Sequence, residues 1–153
     1  MSINAHVDLT ANDATAQYAP GTKFTDRLGK VYRYYQHDNG AGNIAAVVGQ
    51  FAYFYAPGGV SAGSYTVVTS DLSDSAGVGA GVWQAVVTDQ YYGWLQTEGN
   101  CTLALALTAG ADGNALTPVG STDGALDVSA AVTDHICAIA IDATAKIVLL
   151  ICP

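Results

Sequence analysis

Charge is what this chain has least of. Of its 153 residues, 12% are Asp, Glu, Lys or Arg, about half the usual globular share of roughly 25%. One Glu, three Lys and two Arg are too few long polar side chains to clothe the outside of helices, which disfavours a helical protein. Basic residues are wholly absent between Tyr34 and Ala145, while the chain carries a net charge of −8. Such a body is unsuited to nucleic acid, whose affinity rests on Lys and Arg meeting phosphate. Four of the five basic residues, Lys23, Arg27, Lys30 and Arg33, fall within eleven positions; the fifth is Lys146. That cluster reads as a solvated or partner-facing edge.

Cysteine is also scarce. Cys101, Cys137 and Cys152 form an odd set without a C-x-x-C pair, so neither a disulfide framework nor a zinc site is indicated. They read as small buried apolar residues in a reducing cell. No run of 18 apolar residues exists, and the opening MSINAHVDLTANDATAQ has neither a basic nor an apolar region of the kind a leader carries, so no membrane partner and no leader are expected. His6, His37 and His135 never stand at ligand spacing, and no metal or other cofactor is expected.

What the chain does have is apolar content, 50%, and 17 glycines. A surface covered by neighbours and a neutral, Ala- and Thr-rich surface both fit this balance. The length suits one domain able to bury roughly two-thirds of its unfolded surface. Its centre is GVWQAVVTDQYYGWLQTEGNCTLALAL, residues 81–107, which predicts three strands: Val82 to Thr88, Tyr91 to Thr97 and Cys101 to Leu107, with reversals at Thr88-Asp89-Gln90 and Glu98-Gly99-Asn100. Trp83, Trp94, Leu95, Leu103 and Leu105 are the expected core.

Around that centre, Gly21 to Thr25 and Lys30 to His37 flank the turn Asp26-Arg27-Leu28-Gly29 as a hairpin. Further strands are expected within Ile44 to Tyr55, at Tyr65 to Ser70, Ala115 to Val119 and near Leu126 to Val128. His135 to Ile141 and Ile147 to Cys152 form a final antiparallel pair. Strands at this spacing predict an all-β fold, an antiparallel sandwich or barrel of jelly-roll type. Residues 1–19 are polar and unpatterned and read as an extended or flexible arm, with residues 20–153 as the domain. Aromatic runs supply candidate partner contacts: Tyr32, Tyr34 and Tyr35, for which edge-strand packing within the domain is an equal reading, then Phe51, Tyr53 and Tyr55.

Reactive motifs are few. Gly59-Val60-Ser61-Ala62-Gly63 matches the nucleophile elbow, but a strand and not a helix follows it. Gly77-Val78-Gly79-Ala80-Gly81 lacks the spacing and the helix of a dinucleotide loop, and reads as close backbone approach or a bulge. Asn100-Cys101-Thr102 fits a glycosylation pattern without a route to modification. No catalytic residue is assigned.

The order of the pieces resembles a known family. G-T-x-x-x-D and G-K-V-Y-R-Y-Y, then V-W-Q-A-V-V-T-D-Q-Y-Y-G-W-L-Q-T-E-G-N-C, then G-A-D-G-N-A-L-T-P-V-G-S-T-D-G-A-L-D and H-I-C-A-I-A-I-D-A, resemble the small head decoration, or cement, proteins of tailed bacteriophages between Gly21 and Ile151. The resemblance implies a non-enzymatic protein made in the host cytoplasm and carried on the virion. There it would sit on the capsid surface as a homotrimer or homodimer and tie major capsid protein subunits together. An arm of residues 1–19 would order only on contact. Two other classes stand beside it: a carbohydrate- or receptor-binding module of a tail or fibre, which would expose Trp83 or Trp94, and a small β-rich enzyme, which would need titratable residues converging in a pocket.

Overall fold

The computed structural model describes residues 6–59 and 63–153. Its strands are β1 (Lys23–Thr25), β2 (Val31–His37), β3 (Phe51–Tyr55), β4 (Ser64–Thr69), β5 (Ser75–Trp83), β6 (Tyr92–Thr102), β7 (Ala115–Thr117), β8 (Asp127–Val128), β9 (Ala138–Asp142) and β10 (Ile147–Ile151). Ser61 lies outside the described residues. The chain is all-β.

β2, β4, β3, β5 and β6 pair in that order, and β6 returns to β2, closing a five-stranded barrel. Four seams are antiparallel. The fifth, β2 against β4, is parallel through Gln36–Val67 and His37–Val68, a departure from the wholly antiparallel expectation. β6 is the longest strand and serves two sheets. Its Tyr92-to-Glu98 stretch pairs with β2, while on the other edge Leu95 and Gln96 meet β5 and Glu98 to Thr102 meet β10. From β10 the sheet continues outside the barrel through β9, β7 and β8. β1 takes the part of the β2 edge that β4 does not use, opposite Val31 to Arg33.

Side-chain alternation then sorts the apolar residues into three layers. Tyr35, Ala52, Phe54, Val68, Trp83 and Leu95, drawn from all five barrel strands, fill the interior. Residues of opposite parity point outward, and neither outward face is left to solvent. Phe51, Tyr53 and Val82 are covered by the second sheet through Leu116, Cys137, Ala138, Val148 and Leu150. Tyr32, Tyr34 and Trp94 are covered by Phe24 of β1 and by Val7, Leu9, Ala11 and Tyr18.

The last contact corrects the expectation of a free arm over residues 1–19. From His6 onward the segment is part of the body: Val7 is buried, Asp13 bridges Tyr92 in antiparallel fashion, and Asn12 exchanges two hydrogen bonds with Thr88. Its polar sequence concealed this because only Val7, Leu9, Ala11 and Tyr18 need face inward.

The central stretch also differs from expectation. β5 begins at Ser75, seven residues ahead of the expected strand start at Val82, and ends at Trp83, and β6 runs unbroken through Glu98-Gly99-Asn100, expected as a reversal. Leu103 to Leu107 form no strand. The physical reason is long-range pairing, since β10 claims Glu98 to Thr102 and overrides the local turn chemistry. Gly99 keeps a positive φ of 94° within the strand, and the Gln96 amide braces the irregularity by donating to the carbonyls of Glu98 and Asn100. The glycines of β5 do allow close approach: opposite Ala52 and Tyr53 the register slips past Ala80, and Gly81 lies hard against the Gln96 carbonyl.

Candidate functional site

The aromatic residues expected to meet a partner meet the chain itself. Tyr34 has no exposed surface; it stacks on Tyr92 at 5.8 Å between centroids, and its hydroxyl donates to Asp13 Oδ2 at 2.6 Å. Burial and that bond raise its pKa above the usual tyrosine value. Tyr32 is pushed up to about 12 by burial and by Asp26, whose Oδ2 accepts its hydroxyl. Phe51 and Tyr53 are sealed between barrel and second sheet, with the Tyr53 hydroxyl donating to the Ala125 carbonyl at 2.9 Å. Tyr35 packs edge-on against Phe54 inside the barrel. Only Tyr55 of this set is partly open. The first five are therefore corrected from surface to interior residues: period-two aromatic faces do lie outside the barrel, but the two ends of the chain cover them.

Trp83, Trp94 and Leu95 have no exposed surface and Leu103 is buried, whereas Leu105 is half-buried. Neither tryptophan presents the open ring face expected of a glycan-stacking module, which corrects that part of the expectation. The Trp83 indole donates to Ser70 Oγ at 3.2 Å, and His37 stands edge-on to the same ring. Burial lowers the His37 pKa, and its Nε2 contacts Asn39 Oδ1 at 2.7 Å. Asp71 and Asp74 are spent on structure, accepting the backbone N–H groups of Gly42 and Ala41 at 2.6 Å each. Among the described residues no three His, Cys, Asp or Glu side chains are placed to hold a metal ion.

The surface that remains open and distinctive is the β1–β2 hairpin. Residues 23–33 hold four basic side chains and one acid, a net of +3; the rest of the chain, with one Lys and twelve acids, is −11. Asp26 makes the turn rigid. Its Oδ1 accepts the N–H groups of Leu28 at 2.8 Å and Lys30 at 2.9 Å, and Gly29 takes a φ of 80°. Leu28 is thereby held outward with 84% of its surface exposed. Beside it, where β6 meets β10, lies a groove of about 380 Å³ lined by Gly29, Glu98, Gly99, Leu149, Leu150, Ile151 and Cys152. Ile151 is 46% exposed, and Lys23 pairs with Glu98 across 3.6 Å on the same side. Sequence reasoning marked the basic cluster but missed Leu28 and Ile151. The groove depends on β10 lying against β6, a pairing no local pattern announces.

Comparison with protein-family models, with characterised proteins and with solved structures yields no match.

Proposed function

We propose that this protein acts by adhesion: it binds the outside of a tailed-phage capsid, bridges major capsid protein subunits and stabilises the shell without catalysing a reaction. The observation that carries the reading is the hairpin, a rigid basic tip on an acidic body with Leu28 and Ile151 exposed beside a groove of mixed polar and apolar lining. An exposed large apolar residue ringed by charge is the composition of a docking surface, with the apolar group supplying affinity and the charges supplying steering and register. The two aromatic layers support it by making the barrel stiff enough to present the tip without reordering. The motif resemblance between Gly21 and Ile151 supplies the class of partner. Self-association as a trimer or dimer belongs to the same reading, because closed symmetry matches the local axes of a shell.

Stabilisation would follow by linkage, since a ligand that binds only the assembled lattice disfavours its disassembly. The test is co-sedimentation of the purified protein with undecorated heads, followed by their heat inactivation. Leu28→Ser and Arg27→Glu are each expected to cost on the order of 2 kcal/mol, roughly thirtyfold in affinity, if the tip is central to the contact. Wild-type binding by both variants would remove the hairpin from the interface. Failure of the wild-type protein to bind any head would remove the capsid reading itself.

A further inference from the structure

Cys137 immediately precedes β9 and Cys152 immediately follows β10, so folding of the β9–β10 hairpin brings the two together at its open end. The Ile151 N–H donates to the Cys137 carbonyl at 2.9 Å, and the Cys152 thiol reaches the same carbonyl at 3.6 Å. By strict alternation Cys137 would point outward with Ile139 and Ile141. Strand geometry fails at this residue: its N–H donates to Leu116 of β7 while its carbonyl accepts from β10, whereas both groups of a residue in a regular strand point the same way. The twist turns its side chain into the core, where it has no exposed surface and meets the Cys152 thiol in a hydrogen bond.

The two thiols differ in access. Cys152 lines the groove beside the hairpin and keeps 5% of its surface exposed, whereas Cys137 is closed off. Burial and the neighbouring Cys152 thiol hold the Cys137 pKa well above the ordinary thiol value, so Cys137 stays protonated and does not start a reaction. Residues diagonal across one hydrogen-bonded rung stand about 6.5 Å apart at Cα, from about 5.5 Å across and about 3.4 Å along, inside the roughly 4.4–6.8 Å that a disulfide spans. Cys101 is placed differently. Its Sγ faces the Thr102 carbonyl at 3.8 Å, and its register partner on β10 is Val148, four positions before Cys152.

We propose that Cys137 and Cys152 form a disulfide on meeting hydrogen peroxide, stapling the open end of the β9–β10 hairpin. The Cys152 sulfur attacks one peroxide oxygen, the O–O bond breaks, and the released hydroxyl leaves as water with the thiol proton, giving a sulfenic acid. The Cys137 sulfur then attacks the Cys152 sulfur, the S–O bond breaks, and a second water leaves with the Cys137 proton. Two thiols lose two electrons and two protons, and one peroxide becomes two waters. The proposal does not rest on the capsid reading.

Lys146 is the only Lys or Arg after Arg33, so trypsin leaves Cys152 on fragment 147–153 and both other cysteines on fragment 34–146. The reduced full-length protein is treated with hydrogen peroxide in native buffer, its remaining thiols are blocked with N-ethylmaleimide in urea, and the digest is read by mass spectrometry. Fragment 147–153 is expected joined to 34–146, two hydrogens lighter than the sum, with one blocked cysteine and full separation by dithiothreitol. Cys101→Ala should keep the link and Cys137→Ala should lose it. Oxidation should raise Tm by about 6–12 °C in the wild type and in Cys101→Ala, and not in Cys152→Ala. The proposal is overturned if Cys137 and Cys152 remain blockable after peroxide, if Cys101 is the linked partner, if links form only between molecules or only in urea, or if the link lowers Tm.

Discussion

Replacing Gly81 by alanine tests whether the β5–β6 seam is as tight as it looks. Gly81 has a φ of 138°, in a region L side chains rarely enter, and a Cβ there would sit 2.5 Å from the Gln96 carbonyl oxygen and 3.1 Å from Leu95 Cβ. Approaches below 3.0 Å are essentially never shown by real Cβ atoms, so the backbone must give by at least 0.5 Å, the difference between 3.0 and 2.5. The obstacle is main chain in the most heavily paired strand of the fold, which cannot swing aside as a side chain would. Backbone strain at such a φ costs about 1–3 kcal/mol, and overpacking about 1–3 kcal/mol more. The sum, about 2–6 kcal/mol, is a large share of a stability of roughly 5–15 kcal/mol. At ~2–4 °C per kcal/mol it lowers Tm by about 4–24 °C. Gly21→Ala is the control, because Gly21 has a φ of 88° with nothing within 4 Å of its added Cβ. Urea denaturation of both variants separates conformational strain from contact. Equal destabilisation of the two, within about 0.5 kcal/mol, would refute the close approach and with it the register assigned to this seam.

Three further outcomes are expected. Trp94→Ala, which empties a site with no exposure between Tyr18 and Tyr34, should cost about 3–5 kcal/mol in denaturant melts; a change under ~0.5 kcal/mol would contradict its burial. Tyr18→Ala removes two edge-on aromatic contacts at 5.3 and 5.4 Å and should cost about 1–3 kcal/mol at ~0.5–1.5 each, whereas a dispensable arm would cost nothing. Stability should be highest between the two pH limits set by buried rings. His37 has a depressed folded pKa, so the unfolded chain binds the extra proton and stability falls as pH drops below about 6.5. Tyr32, Tyr34 and Tyr53 have raised folded pKa values, so the unfolded chain loses protons first and stability falls as pH rises past about 10. Urea midpoints across pH read both limbs, and His37→Gln should flatten the acid one; an unchanged acid limb in that variant would exclude His37 as its source.

Strand existence was legible in the β1–β2 hairpin around Asp26 and Gly29 and in the β9–β10 pair, but not at Leu103 to Leu107, where a clean alternation carries no strand. Strand limits failed where a distant partner overrode local chemistry. Glu98-Gly99-Asn100 has the composition of a turn, yet β10 holds it in the sheet. The aromatic runs show a different limit. Alternation correctly separates Tyr32 and Tyr34 from Tyr35, but it says only that two faces exist, not what covers each. A tyrosine face awaiting a partner subunit and one awaiting the chain's own residues 6–18 look the same in sequence. The candidate site divides likewise: clustered Lys and Arg are visible in order, whereas Leu28 and Ile151 become neighbours of one groove only through pairings that span most of the chain.

The double role of β6 bears on how the protein is made. Val31 lies opposite Glu98, 67 positions away, so the barrel cannot close on itself until β6 has left the ribosome. Contacts this distant place the fold among the slow ones. Once β6 has emerged, its outer edge from Glu98 to Thr102 must wait for β10, which starts 45 positions after Thr102. At ~5–20 residues per second that wait lasts roughly 2–9 s. Throughout it, an open strand edge and the outward faces of Phe51, Tyr53 and Val82 are available to any neighbouring nascent chain. Crowded polysomes during abundant synthesis, and not the finished barrel, are therefore where this sequence is most exposed to aggregation.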